Sequence, residues 1–278
     1  SPAVCPARTA QNQDVMIRLV AVDSFGDQHS HALDRLGAKH LASMPQNHAL
    51  PVLNRIAYEN KYYFAVFPMM QDVLSLPDFH DYVEAADYIE QLVEGLEFFH
   101  ERLVSHGDIC KENILINLVG PPLCTVDQPL RSRFPARYYY TDFEFSTCSD
   151  EGESRSSVQG SPVSWSDRGG VYGRPSAPEV SKPGFYSPFR ADVWQLGYLL
   201  HSEFEDFPHF EGYQLLFKSM MDDDPRLRAS TKEALKVVRR LKQDLHPIRG
   251  LSSNKSGNKL GDAFGLLEYA AWMVDVHG

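Results

Sequence analysis

His106-Gly107-Asp108-Ile109-Cys110-Lys111-Glu112-Asn113-Ile114-Leu115-Ile116, followed after a Pro-rich insertion by Tyr139-Tyr140-Thr141-Asp142-Phe143-Glu144, is the stretch on which the fold turns. Upstream of it, Ala86, Ile89, Leu92, Val93, Leu96, Phe99 and Leu103 recur at helical spacing, which predicts a helix from about Tyr82, buried on one face. Ile114-Leu115-Ile116 has the composition of a short buried strand. A polar loop is therefore held between a buried helix and a strand. Asp108, Asn113 and Asp142 bring three side chains with oxygen donors, the ligand type that hard cations such as magnesium prefer. An Asp followed five residues later by an Asn is common by itself. Its position between these two elements makes the signal specific.

The stretch resembles the catalytic loop and the metal-binding Asp-Phe-Gly segment of eukaryotic protein kinases. Further landmarks agree in order and spacing. Ala177-Pro178-Glu179 resembles the Ala-Pro-Glu that closes the activation segment, Asp192-Val193-Trp194-Gln195-Leu196-Gly197 the start of the large central helix, and Asp224-Pro225-Arg226-Leu227-Arg228 the Asp-Pro-x-x-Arg near its end. Pro178-Glu179-Val180-Ser181 with Ser187-Pro188-Phe189-Arg190-Ala191-Asp192 is similar to divergent kinase-like proteins abundant in fungi. The resemblance covers roughly residues 15 to 245. It implies an α+β, bilobal protein-kinase fold: a reduced β-rich N-lobe over residues 1–70, a larger, mainly α-helical C-lobe over 71–246, and a tail over 247–278. It also implies ATP and Mg2+ as cofactors, Asp108 as acceptor of the substrate hydroxyl proton, and Asn113 and Asp142 as metal ligands. A buried ion pair between Glu179 and Arg228 is implied in the same way.

The first third reads as sheet. Val15-Met16-Ile17-Arg18-Leu19-Val20-Ala21-Val22 is a strand with one charged residue, and Pro51 to Tyr58 and Tyr62 to Met70 form a hairpin around Glu59-Asn60-Lys61. His29 to Ala42 is a helix weakened by Gly37. On the resemblance, Arg18 takes the place of the strand Lys that holds the ATP phosphates. Its usual Glu partner is missing, since no Glu occurs between Arg18 and Glu59. Asp34 is the acid on the helix, and the expectation is an Arg18–Asp34 pair. Phe67 resembles the residue at the back of the adenine pocket and Met70 the hinge residue whose backbone bonds adenine. With Arg18 and Lys111 they complete the candidate cofactor-binding set.

The sequence also departs from the kinase pattern. Residues 1 to 14 contain no glycine, so the Gly-rich loop that covers ATP is not in this stretch. Cys110 replaces the Lys that steadies the γ-phosphate. Lys111 stands one place later, where an extended loop should aim its side chain elsewhere. Gly107 replaces the Arg that reads activation-loop phosphorylation. Glu144 replaces the Gly after Asp142-Phe143, and next to a polyphosphate its charge would cost roughly 3 kcal/mol at ~5 Å and an effective dielectric of ~20. His106-Gly107-Asp108 and Asp142-Phe143-Glu144 also resemble motifs of aminoglycoside- and choline-type small-molecule kinases. Three functions follow: transfer of phosphoryl groups to Ser or Thr of proteins, a pseudokinase serving as an interaction scaffold, or a small-molecule kinase.

The 278 residues are 43% apolar, enough for a substantial core, and carry a net charge of −10. That charge argues against nucleic acid and anionic membranes as partners, since both select excess Lys and Arg. Protein substrates or protein partners are expected instead. No run approaches the roughly 20 apolar residues of a membrane span, and the expected location is intracellular: cytoplasmic, with the nucleus also open. Four scattered cysteines lack CxxC spacing, which favours free thiols. His29 and His31 have no further ligands nearby in sequence. Tyr138-Tyr139-Tyr140 reads as strand packing, residues 146 to 170 as a mobile Ser-, Gly- and acid-rich segment, and Leu266 to Val274 as a helix.

Overall fold

A computed structural model describes residues 4–23, 26–76, 79–118, 131–150, 152–160, 174–207 and 210–245. The tail beyond 245, with the Leu266 to Val274 helix expected there, lies outside the described residues, as does Cys124. In chain order the elements are β1 (Val4–Arg8), β2 (Asp14–Val22), α1 (Asp27–Leu36), α2 (Lys39–Ala42), β3 (Asn54–Tyr58), β4 (Tyr62–Pro68), β5 (Gln71–Asp72), α3 (Tyr82–Glu101), β6 (Val104–Ser105), β7 (Ile114–Ile116), β8 (Tyr138–Tyr140), β9 (Thr147–Cys148), α4 (Pro188–Phe204), α5 (Glu211–Met220) and α6 (Thr231–Leu245). The N-terminal part is rich in sheet and the C-terminal part is helical, an arrangement compatible with a kinase fold.

The chain divides into two compact units. One takes in Ser1–Leu76, Glu94–Pro121 and Ala136–Val158; the other takes in Pro77–Val93, Pro122–Pro135 and Gln159–Gly278. The turns of α3 up to Val93 belong to the second unit and those from Glu94 onward to the first.

In the first unit β1, β2, β4 and β3 form an antiparallel sheet in that order. The β3–β4 hairpin closes through Glu59 and Asn60, both left-handed at φ 53° and 51°, the geometry whose twist matches paired strands. The expected helix from His29 to Ala42 is interrupted at Gly37, whose N–H closes α1 on the Leu33 carbonyl. The face of α1 that packs inward is His29, Ala32, Leu33 and Leu36, spaced i, i+3, i+4, i+7. Two smaller sheets follow, β5-β7-β8 and β6-β9. Tyr138 and Tyr140 are buried within β8, so the tyrosine run packs as strand.

The second unit is built from helices. Ser187 caps α4 by accepting from the Arg190 N–H, and Pro188 opens the first turn, where its missing donor costs nothing. Gly197 lets α4 approach α5 closely, since a Cβ there would lie 2.8 Å from the Met220 Cβ. Ring contacts link Phe79, Tyr88, Phe204, Phe210, Tyr213 and Phe217 into one aromatic core. Arg228 donates to Glu179 through both carboxylate oxygens, at 2.5 and 2.8 Å. The expected ion pair forms, with the Arg228 side chain fully enclosed.

Part of the acid- and Ser-rich segment is tied down. Arg155 makes two bonds to the Glu97 carboxylate, at 3.1 and 3.2 Å, and Val158 is buried. The expectation of a segment without anchors fails there because Arg155 supplies a polar one; residues 161–173 lie outside the described part. Cys5, Cys110 and Cys148 are free thiols. Among the described residues no helix is long and apolar enough to cross a membrane.

Candidate functional site

All the candidate catalytic and cofactor-binding residues lie in the first unit. Strand pairing assembles the centre of the site. Asn113 immediately precedes β7 and Thr141 immediately follows β8; because Ile114 pairs with Tyr140 in antiparallel register, the loop and the Asp142 segment meet at one end of the hairpin. The Thr141 N–H donates to the Asn113 carbonyl at 3.0 Å. Asp142 is left-handed at φ 67°, a conformation that non-glycine residues adopt at a cost and that Asp tolerates better than most.

His106 is a second clamp. Its Nδ1 accepts from the Asp108 N–H at 3.3 Å and its Nε2 lies 3.0 Å from the Thr141 carbonyl. A carbonyl only accepts, so the pattern fits the tautomer with its hydrogen on Nε2. The ring is fully buried and tilts against Phe143 at 4.8 Å. Phe143, also buried, packs edge-on to Phe99 of α3. The positions of Asp108 and Asp142 are thereby set by one histidine and one phenylalanine.

Within this frame Asn113 donates through Nδ2 to both the Asp108 carbonyl (2.9 Å) and the Asp108 Oδ2 (2.8 Å). With the amide nitrogen committed, Oδ1 is the atom of Asn113 that suits a metal. Asp108 is 4% exposed, so its carboxylate is fixed before any substrate arrives.

The expected Arg18–Asp34 pair does not form. Arg18 donates from Nη2 to the Asp142 Oδ1 at 2.5 Å and lies 3.5 Å from the Glu144 Oε2. Asp34 is bound instead by Arg55 of β3, at 2.5 Å. Helix geometry gives the reason: Asp34 is on the exposed face of α1, whereas His29, five residues earlier, faces inward. His29 is 3% exposed. Burial, then the positive charges of Arg18 and Arg55 and its neighbour His106, pull its pKa down to about 4 against the attraction of Asp142. His29 therefore stands neutral beside the Arg18–Asp142 pair at neutral pH, a role that sequence reading missed although the stripe 29, 32, 33, 36 was there to find it.

Lys111 begins a 3₁₀ turn, Lys111–Asn113, rather than an extended loop, and Cys110 before it is the extended residue. Phe67 is buried in β4 opposite Met16, and Met70 lies in the link from β4 to β5. Gly107 has φ 77°, and a Cβ there would collide with the Phe145 carbonyl oxygen. No side chain, Arg included, fits at that position without a backbone shift.

The donor set fits magnesium only together with phosphate. Among the described residues no group of three or more His, Cys, Asp or Glu is arranged to hold a metal. Asp142 and Asn113 would supply one carboxylate and one amide oxygen, the sparse protein contribution magnesium accepts when polyphosphate and water complete its shell. Arg18 Nε is buried without a hydrogen-bond partner, the kind of donor that a phosphate oxygen satisfies.

No protein-family model matches the chain. It is similar to a probable serine/threonine-protein kinase of Schizosaccharomyces pombe, 30% identical over 139 residues, which cover 47% of this chain and 15% of that protein. It is 26% identical over 178 residues to the CBL-interacting serine/threonine-protein kinase 15 of Arabidopsis thaliana, covering 55% of this chain and 36% of the other. With the human calcium/calmodulin-dependent protein kinase type IV it shares 27% over 142 residues, 50% of this chain and 25% of the other. The matched regions thus span well under half the length of these relatives. The similarities support a kinase-like domain in this chain.

Proposed function

We propose that this chain is a bilobal protein kinase-like domain that transfers the γ-phosphoryl group of ATP to a Ser or Thr hydroxyl of a protein substrate. The observation that carries this reading is the pair of bonds from Asn113 to Asp108. They hold a buried carboxylate ready to accept a proton and leave the Asn113 amide oxygen as the atom of that side chain suited to a metal. In the reaction the substrate oxygen forms a bond to the γ-phosphorus, the bond from that phosphorus to the β–γ bridging oxygen breaks, ADP leaves, and the hydroxyl proton passes to Asp108. Bound magnesium supplies neutralisation of phosphate charge. Asp142 and Asn113 would hold it, and Arg18 would contribute a guanidinium fork that can bond phosphate oxygens. The Glu179–Arg228 pair favours a protein over a small-molecule substrate, since the resemblance places it in the protein-kinase substrate lobe.

One observation favours the pseudokinase reading: Arg18 sits on Asp142, the metal ligand, rather than on a helix carboxylate. A thermal-shift titration with ATP, with and without Mg2+, on the native chain and on Asp142→Asn separates the two, because a ligand bound to the folded state raises the melting temperature by mass action. A magnesium-dependent rise that Asp142→Asn abolishes, with phosphotransfer lost in Asp108→Asn, is the expected result. No rise at saturating ATP would overturn phosphotransfer in favour of a scaffold.

A further inference from the structure

A cavity of about 660 Å3 opens in the first unit, lined by none of the residues of the site above. Arg35, Ala38, His40 and Leu41, from the end of α1 through α2, form one wall; Glu101, Arg102 and Leu103, where α3 ends, form the other. Its volume falls in the range of small-molecule sites, about 300–1,000 Å3. Its lining brings two guanidiniums against one carboxylate, with the His40 imidazole and the apolar surface of Ala38, Leu41 and Leu103.

The two arginines are held mainly by neutral acceptors. Arg35 donates from Nη1 to the backbone carbonyls of Arg102 and Ser149. Among the described residues no carboxylate pairs with it. Arg102 donates from Nη1 to the Phe98 carbonyl at 2.8 Å and from Nη2 to the Met44 Sδ at 3.9 Å, and lies over the Phe98 ring; among the described residues the carboxylate beside it is Glu101 at 3.4 Å, more than half exposed. Backbone carbonyls fix the guanidinium planes but do not neutralise their charge. In a chain of net charge −10, two oriented cations facing one hollow with a single exposed carboxylate form a local site for an anion.

We infer that this cavity binds a small organic anion, an apolar body bearing a carboxylate or phosphate head, with the head on Arg35 and Arg102 and the body against Leu41 and Leu103. Planar guanidiniums match both head groups through paired N–H donors, and the apolar lining residues select a ligand with a hydrophobic body over a free inorganic ion.

The test is isothermal titration of the full chain with decanoate and with phenyl phosphate, with inorganic phosphate as the headgroup-only control. Saturable 1:1 binding of one or both organic probes is expected, tighter than inorganic phosphate, and the preferred probe identifies the head group. His40→Glu, at an exposed rim position, should weaken binding about tenfold without disturbing the fold, and Arg35→Gln should weaken it at least as much. Should Arg35→Gln fail to fold, His40→Glu decides alone. Absence of saturable binding at about 1 mM of either organic probe, or binding that His40→Glu leaves unchanged, would overturn the inference.

Discussion

Arg18 bonds Asp142 rather than Asp34: its Nη2 stands 2.5 Å from the Asp142 Oδ1, while the Asp34 carboxylate is held by Arg55. The cation expected to hold phosphate is thus bonded to the carboxylate expected to hold metal, and Glu144 at 3.5 Å shares the same guanidinium. The repulsion that Glu144 would bring to a polyphosphate is met in part by Arg18 and in part by solvent, since its side chain is 55% exposed.

It follows that Arg18 and a divalent cation compete for Asp142. Removing the guanidinium in Arg18→Gln should tighten binding of Mn2+ alone by about tenfold, because a state in which the ligand is already engaged lowers apparent affinity in proportion to its population. The same change should cost about 1.5–3 kcal/mol of stability, the worth of a hydrogen bond to a charged group. Electron paramagnetic resonance titration with Mn2+ reads the first effect and urea unfolding the second. Equal Mn2+ affinity in the two proteins would mean that the pair opens freely and does not gate the metal.

The Glu179–Arg228 pair makes a different prediction, about stability alone. Arg228 donates from Nε to the Asp222 carbonyl, from Nη1 to Glu179 and the Arg190 carbonyl, and from Nη2 to Glu179. A lysine cannot reproduce that planar set, so Arg228→Lys should destabilise nearly as much as outright removal. Glu179→Gln leaves the enclosed guanidinium without its counter-charge and should cost about 3–5 kcal/mol. Urea midpoints check both. A loss below about 1 kcal/mol in Glu179→Gln would show that water reaches Arg228 and that the pair is a surface contact in energetic terms.

Much of this architecture was legible because it rests on local periodicity. The stripe from Ala86 to Phe99 became α3, which ends at Glu101 short of the left-handed Leu103 (φ 55°), and the apolar runs at 15–22 and 62–68 became β2 and β4. Strand β1 was not read, since Val4-Cys5-Pro6-Ala7-Arg8 is short and holds a proline; it survives because it is an edge strand, where a missing ladder donor is tolerated. Helix α5 was overlooked although Tyr213, Leu216, Phe217 and Met220 repeat at i, i+3, i+4, i+7. The motif residues Asp108, Asn113 and Asp142 could be named from sequence, but the partner of Arg18 could not. Whether Asp34 or Asp142 meets it depends on which face α1 turns inward, and that follows from the packing of Leu33 and Leu36 rather than from the spacing of charges.

His29 ties stability to pH. Its pKa is about 4 in the folded chain against an ordinary 6.5, burial being the main cause. A base whose pKa is depressed by folding binds its proton more weakly when folded. Its contribution to stability is therefore complete above about pH 6.5 and is lost as pH falls toward 4. The loss is on the order of 3 kcal/mol for a shift of this size. Glu233 and Asp224 are carboxylates with depressed pKa values, from 4.5 and 3.8 respectively. Their stability is lost only below those ordinary values, leaving the window from 6.5 to 4.5 mainly to His29. Urea unfolding across that window should show stability falling with pH in the native chain and a flatter profile in His29→Gln. Parallel slopes in the two proteins would place the titrating group elsewhere.

Gly107 tests whether the loop tolerates the side chain that the kinase pattern would put there. Two separate costs meet at this position: φ is 77°, and a Cβ would collide with the Phe145 carbonyl oxygen. Gly184 isolates the first of them, having φ 111° with nothing within 4 Å of its Cβ position. Gly184→Ala should lose about 1–2 kcal/mol from backbone strain alone. Gly107→Ala should lose about 1–3 kcal/mol more, the usual range for forcing atoms into filled space, and Gly107→Arg at least as much as Gly107→Ala. At roughly 2–4 °C per kcal/mol for a chain of about this size, the two alanine variants should melt several degrees apart. Identical melting temperatures would mean that the segment from Phe143 to Phe145 gives way easily, and that the close approach of Gly107 to it does not hold Asp108 in place.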